Sequence, residues 1–108
     1  MPTTEPAYLA GMYRDAYFPD HLVDKGRAIL VALRERIETE RPADLPALHV
    51  LTNAAVEEFN ALQEEFWAAD SEIETVARDD IALSFEYVMA ACGFADADLE
   101  EALAERDW

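Results

Sequence analysis

Apolar residues recur along most of the chain at steps of three and four, which is the spacing of one face of an α-helix. The clearest stripe lies in the middle of the chain and consists of Leu48, Thr52, Ala55, Phe59, Leu62 and Phe66. No segment shows sustained alternation of apolar and polar residues, the pattern of a half-buried strand. The pattern therefore predicts an all-α protein.

Prolines and capping residues mark the limits of the first two predicted helices. The first runs from about Pro6 to Tyr17, and Pro19 ends it. The second begins at Asp20, a suitable N-cap, and ends before Pro42. Its core-facing stripe consists of Leu22, Gly26, Ile29, Leu30, Leu33 and Ile37.

The third and fourth helices carry their own start signals. Asp44 can cap the third, with Pro46 tolerated in its first turn. The fourth is predicted to open with a capping box at residues 71–74, in which the Ser71 hydroxyl and the Glu74 carboxylate satisfy unpaired backbone N–H groups. Gly93 suits the left-handed turn after this helix. Its predicted core face is Ile73, Val76, Ala77, Ile81, Ser84, Phe85, Val88 and Cys92.

A short last helix is predicted from Asp96 to about Glu105. Short connections between long amphipathic helices favour antiparallel packing of neighbours. We therefore expect residues 1–108 to form a single domain, an up-down helical bundle of four to five helices in which shorter helices close the ends.

The chain is strongly acidic, and the charge is uneven. The formal net charge is −16, and residues 55–108 contribute −14 of it, with two basic and sixteen acidic side chains. Such a field repels nucleic acid and anionic lipid, so we expect neither as a partner, whereas it attracts a basic protein. A plain acidic surface that favours solubility is the alternative interpretation.

Membrane insertion and secretion are not expected. Strongly apolar runs without a charge, such as Ala28–Leu33, are far shorter than the roughly 20 residues that a membrane-spanning helix needs. Arg14 and Asp15 interrupt the first apolar segment, which argues against a signal peptide. The single cysteine, Cys92, fits a reducing compartment, so we expect a cytoplasmic protein.

Polar residues on the third helix form a column beside its apolar stripe: His49, Asn53, Glu57, Asn60 and Glu64. This column is either a recognition strip, part of a catalytic cleft with His49 as proton carrier, or a partly solvated flank. Asp80 lies within the apolar arc of the fourth helix and would need an Arg, a Tyr hydroxyl or a backbone N–H as partner. The candidate polar cluster is therefore His49, Asn53, Glu57 and Asp80.

No pattern for a metal, a nucleotide or a nucleophile is present. Neither His21 nor His49 has an acidic residue three positions earlier, as ferritin-like sites require. Three glycines cannot build a phosphate-binding loop, and Cys92 lies near a helix C-terminus, where the dipole disfavours a thiolate. We therefore expect no cofactor and no metal.

Three aromatic residues, Tyr13, Tyr17 and Trp67, could form a contact surface for a partner or a second copy.

Several short sequence segments resemble those of a family of short bacterial proteins, the domain of unknown function fifty-seven thirteen. They are Tyr17-Phe18-Pro19, Leu22-Val23-Asp24-Lys25-Gly26, Phe59-Asn60, Gln63-Glu64-Glu65-Phe66, Ser71-Glu72-Ile73-Glu74-Thr75 with Ala77-Arg78, and Arg106-Asp107-Trp108. The resemblance implies a bacterial helical protein and assigns no activity and no residue role.

These observations leave two classes of function open. The leading hypothesis is a non-enzymatic protein-interaction module that binds a basic protein or a second copy of itself. An antidote or immunity protein against a basic toxin is one version of it. The alternative is a small enzyme or metal-dependent binder that uses His49, Glu57 and Asp80.

Overall fold

The protein is all-helical in the part of the chain that the structure describes. The structure, a computed structural model, describes residues 8–108. Five helices and no strand occur within this range. They are α1 (Ala10–Arg14), α2 (Asp20–Glu40), α3 (Leu45–Ala68), α4 (Thr75–Ala91) and α5 (Leu99–Ala102). The predicted all-α class is confirmed.

The helices α2 and α3 form the main antiparallel pair of the bundle. Lys25 near the start of α2 forms an ion pair with Glu65 near the end of α3, which requires the two helices to run in opposite directions. The helix α4 packs against α1 and α2, and α5 lies against α3 and α4. The predicted helical bundle is therefore confirmed.

Four phenylalanines form the centre of the core. The ring centres of Phe59 and Phe85 lie 5.8 Å apart, and those of Phe18 and Phe66 lie 6.3 Å apart. All four rings are almost completely buried. Burial of one such side chain stabilises a fold by about 1.5–3 kcal/mol. Because these rings belong to one hydrophobic cluster with residues from all five helices, they fix how the helices meet.

The first helix is shorter than predicted. It ends at Arg14, whereas the apolar spacing predicted a helix as far as Tyr17. The Asp15 carboxylate accepts a hydrogen bond of 2.9 Å from the Tyr17 backbone N–H, which closes a turn in place of another helical turn. This turn directs Phe18 into the core. The predicted start at Pro6 lies outside the described residues.

Of the three long helices, only α3 has the N-cap that the sequence predicted, since the N-cap of α2 is Pro19 and not Asp20. The Asp44 carboxylate accepts a hydrogen bond of 3.0 Å from the Ala47 backbone N–H, which confirms Asp44 as the N-cap of α3. In contrast, α4 begins only at Thr75, and its N-cap Glu74 makes no side-chain capping bond. The predicted capping box is wrong because the Ser71 hydroxyl instead donates to the Tyr17 carbonyl at 2.9 Å.

Local signals mark the C-terminal end of α4 and the start of α5. Gly93, with a φ of 92°, donates from its N–H to the Ala90 carbonyl at 3.1 Å, and the next N–H, of Phe94, bonds the Met89 carbonyl at 2.8 Å. These two bonds are the Schellman arrangement, so the predicted glycine turn is confirmed. The last helix is capped by Asp98 and spans only four residues, so the prediction from Asp96 to Glu105 was too long.

Candidate functional site

Asp80 caps a helix that is distant in the sequence. Its carboxylate accepts a hydrogen bond of 2.7 Å from the Met12 backbone N–H in the first turn of α1. The N–H groups of a first turn have no partner within the helix, and Leu9, the N-cap residue of α1, supplies no side-chain bond. Asp80 therefore has one of the partners that the sequence analysis required, a backbone N–H.

Asp80 also lines an open groove between α1 and α4. The groove has a volume of about 260 Å³, and its lining includes Arg14 from α1 and Leu83 and Tyr87 from α4. Tyr8 contributes a buried ring that packs edge-on against Tyr87, with the ring centres 6.2 Å apart. The groove therefore combines apolar walls with one acidic and one basic side chain.

Asn60 of the polar column, together with Gln63, binds the C-terminal segment of the same chain, which we define as residues 105–108. The Asn60 side-chain amide donates to the Glu105 carbonyl at 2.9 Å, and its oxygen accepts from the Asp107 N–H at 3.0 Å. Gln63 donates to the Asp107 carboxylate at 3.0 Å. Trp108 packs on Phe59 with 6.2 Å between ring centres. The role of Gln63 could not be predicted from the sequence because its partner lies 44 positions away.

The other predicted members of the polar cluster lie apart from Asp80. His49 is largely buried, and its Nδ1 is 3.6 Å from the Glu101 carboxylate on α5. The Nε2 of His49 and the side-chain oxygen of Asn53 are buried without a hydrogen-bond partner among residues 8–108. Glu57 is exposed. The groove that contains Asp80 is lined by neither His49 nor Glu57.

The predicted aromatic contact residues differ in exposure. Tyr17 is 43% exposed and Trp67 52% exposed, as a contact surface requires. Tyr13 is partly buried, and its hydroxyl donates to the Asp24 carboxylate. Burial, and then the hydrogen bond to Asp24, raise the pKa of Tyr13 to about 12. The hydroxyl of Tyr13 is therefore already engaged within the molecule.

A second set of exposed apolar side chains lies on α4, and sequence analysis did not single it out. Leu83 is 61% exposed and Tyr87 is 42% exposed. Val76, predicted to face the core, is 43% exposed, so that prediction is wrong. Val76 precedes Leu83 by seven residues, or two helical turns, and therefore belongs to the same outward face. The seven- and four-residue spacings of Val76, Leu83 and Tyr87 were the available signal in the sequence.

The described residues offer little for metal or thiol chemistry. Between residues 8 and 108, no group of three or more His, Cys, Asp or Glu side chains is placed to hold a metal ion. Cys92 packs against the core, and burial, followed by the Glu38 carboxylate, raises the pKa of its thiol. A raised pKa disfavours the nucleophilic thiolate. Over the same range, no helix has the length and apolar character needed to cross a membrane.

The chain was compared with known families, curated proteins and solved structures. No curated protein and no solved structure matches it. One family, described as a family of unknown function and designated DUF5713, matches residues 3–108. Since this match covers nearly the whole chain, the protein belongs to the family DUF5713.

Proposed function

We propose that the protein is a non-enzymatic protein-interaction module whose partner is a basic protein. The observation that carries the proposal is the concentration of charge, with −14 of the net −16 in residues 55–108. Most acidic side chains of this half are exposed, including Glu57, Glu64 and Glu86. A surface of this kind raises the association rate of a basic partner and repels phosphate backbones and anionic lipid.

The use of polar side chains within the fold also supports this proposal over an enzyme. Asp80 caps α1, Asn60 holds the C-terminal segment, and His49 faces Glu101. A catalytic site requires its acid, base and binding groups to meet in one pocket. The alternative, an enzyme or metal-dependent binder that uses His49, Glu57 and Asp80, has less support because the groove that Asp80 lines contains neither His49 nor Glu57.

An antidote or immunity protein that blocks a basic toxin is one concrete version of the proposal. A bacterial source and a cytoplasmic location belong to it as well, and the single cysteine, Cys92, is consistent with a reducing compartment. Self-association would bring together surfaces with the same negative charge. A basic protein is therefore the favoured partner.

Native mass spectrometry of the protein isolated gently from its host tests the proposal. We expect a stoichiometric complex with a protein of high isoelectric point, and we expect this complex to dissociate as salt is raised, because screening weakens exposed charge pairs. Chemical cross-linking before isolation retains a transient partner. A stoichiometric metal or small-molecule mass, or cross-linked material that contains no basic protein, would contradict the proposal.

A further inference from the structure

The groove between α1 and α4 has an apolar strip along its outer wall. We define this strip as Val76, Leu83 and Tyr87, which are between 42% and 61% exposed. These residues are spaced by seven and four positions, so they project from one face of α4. Leu83 and Tyr87 also line the groove of about 260 Å³. The strip and the groove therefore form one continuous surface.

Two exposed carboxylates lie along one side of this apolar strip. Asp79 lies three residues after Val76 and four before Leu83, and Glu86 lies three residues after Leu83. Residues at these spacings are neighbours on a helix surface. Asp79 and Glu86 are themselves seven residues apart, which is two turns or about 10.5 Å along the helix. On the opposite wall of the groove, α1 contributes the exposed Arg14.

We propose that this groove binds an amphipathic helix of a basic partner, with apolar side chains on the strip and Lys or Arg side chains beside Asp79 and Glu86. The inference rests on the proposed function and assigns the surface that binds the basic partner. An amphipathic helix in an apolar groove is a common mode of peptide recognition, read at three- and four-residue spacing. A Lys or Arg repeat of seven residues on the partner matches the separation of the two carboxylates.

Charge complementarity selects this occupant over a second copy of the chain. In a two-fold dimer the same patch meets itself, so Asp79 and Glu86 of both copies would approach one another. Each chain also carries a net charge of −16, which adds long-range repulsion. A basic helix replaces this repulsion with attraction and covers the same apolar side chains.

A designed peptide tests the groove directly. The probe is a synthetic amphipathic helix with Leu on one face and Lys in the flanking positions, and fluorescence anisotropy measures its affinity for the full chain. We expect Leu83→Glu to weaken binding at least about tenfold, the effect of losing a central apolar contact. Val50→Glu is the matched control, because Val50 is 66% exposed on α3, and should change affinity less than about twofold.

A pair of charge reversals separates the local effect from net charge. Asp79→Lys/Glu86→Lys and Glu57→Lys/Glu64→Lys change the net charge equally, and each pair is spaced by seven residues on one helix. We expect only the first pair to weaken the Lys peptide at least about tenfold, and a peptide with Glu in place of Lys to regain binding to that variant. Equal weakening by both pairs, or no binding to the wild type, would overturn the inference.

Two further outcomes separate the groove from the proposed function. If the basic protein found by mass spectrometry stays bound to Leu83→Glu and to Leu83→Ser, the groove inference fails and the proposed function stands. If sedimentation shows that the wild type is a dimer and Leu83→Glu a monomer, the occupant is a second copy and the inference is overturned. Thermal unfolding of each variant establishes that it is folded.

Discussion

Gly11 of α1 lies directly against the Asp80 side chain of α4. A Cβ atom at Gly11 would lie 2.6 Å from the Asp80 carboxylate oxygen that accepts the Met12 N–H. Carbon and oxygen atoms do not approach so closely, so the carboxylate would have to move away and give up its hydrogen bond. The absence of a side chain at Gly11 is therefore a condition for the cap at Asp80.

We expect Gly11→Ala to lower the free energy of unfolding by about 1–3 kcal/mol, because the partly buried cap is lost. Asp80→Ala should cost about 0.5–2 kcal/mol, as for other lost N-terminal caps. In the double variant the two costs should not add, since without the carboxylate the new methyl group meets no oxygen. Urea unfolding of the four proteins measures this coupling. If the losses in the free energy of unfolding of the two single variants added up in the double variant, Gly11 and Asp80 would not be in contact.

Tyr13 gives the fold a specific response to alkaline pH. Burial and the bond to Asp24 raise its pKa from 10.0 to about 12, so the folded protein holds this proton more tightly than the unfolded chain. Below pH 10.0 both states keep the proton, and the stabilisation is complete. Between pH 10.0 and about 12 the unfolded state releases its proton first, so the stability falls as the pH rises.

We expect Tyr13→Phe to unfold with a smaller loss of stability over this alkaline window than the wild type. Urea unfolding at a series of pH values measures the difference. Tyr8, whose pKa is also raised by burial, contributes equally to both proteins and cancels in the comparison. Parallel curves for the two proteins would show that Tyr13 titrates alike in the folded and unfolded states.

At the scale of helices, the start of α4 depends on a contact with the turn that precedes α2. The Ser71 hydroxyl is buried and bonds the Tyr17 carbonyl, whereas the Glu74 side chain makes no capping bond. We expect Ser71→Ala to cost about 0.5–1.5 kcal/mol, because the Tyr17 carbonyl loses its hydrogen-bond partner. Glu74→Ala should cost less than about 0.5 kcal/mol. Comparable losses in thermal or urea unfolding would instead support a capping box.

Asn60 makes two of the hydrogen bonds that hold the C-terminal segment on α3. We expect Asn60→Ala to loosen the segment and to cost about 1–2 kcal/mol for these two lost hydrogen bonds. Fluorescence of Trp108 reports this loosening in a Trp67→Phe background, which leaves Trp108 as the single tryptophan. Glu64→Ala, an exposed neighbour in the same column, is the control and should leave the emission unchanged. An unchanged emission in Asn60→Ala would contradict the role of Asn60.

The elements that could be predicted from the sequence are those whose determinants are local. Asp44 bonds an N–H three residues ahead, and the turn at Gly93 uses carbonyls of the preceding helical turn. Both signals lie within a short window of sequence, so their geometry follows from residue type and spacing. The apolar stripe of α3 is also local, and Phe59 and Phe66 are buried as it predicted.

The contacts that could not be predicted join residues far apart in the chain. Asp80 is 68 positions from Met12, and Ser71 is 54 positions from Tyr17. For Asp80 the sequence indicated that a partner was needed, but the helix packing decides which N–H reaches it. The same holds for the polar column, where periodicity placed Asn60 on one face while only the fold brings the C-terminal segment to it.

For the whole molecule, the concentration of negative charge opposes folding as well as attracting a partner. Packing the helices brings the acidic side chains of residues 55–108 closer together than they are in an extended chain. Self-repulsion of this kind destabilises the compact state. The Debye length falls from about 30 Å at 0.01 M salt to about 8 Å at 0.15 M, so modest salt screens most of this repulsion.

We therefore expect the free energy of unfolding to rise with sodium chloride, most steeply below about 0.15 M, where the Debye length changes most. Urea unfolding at several salt concentrations measures the slope. A variant with Glu57, Glu58 and Glu64 changed to Gln removes three exposed charges from α3 and should be more stable at low salt, with a smaller dependence on salt. Because screening acts only on charge, both proteins should converge at high salt. If stability instead fell with salt, attractive ion pairs such as Lys25–Glu65 would outweigh the repulsion, and the uneven charge would not destabilise the fold.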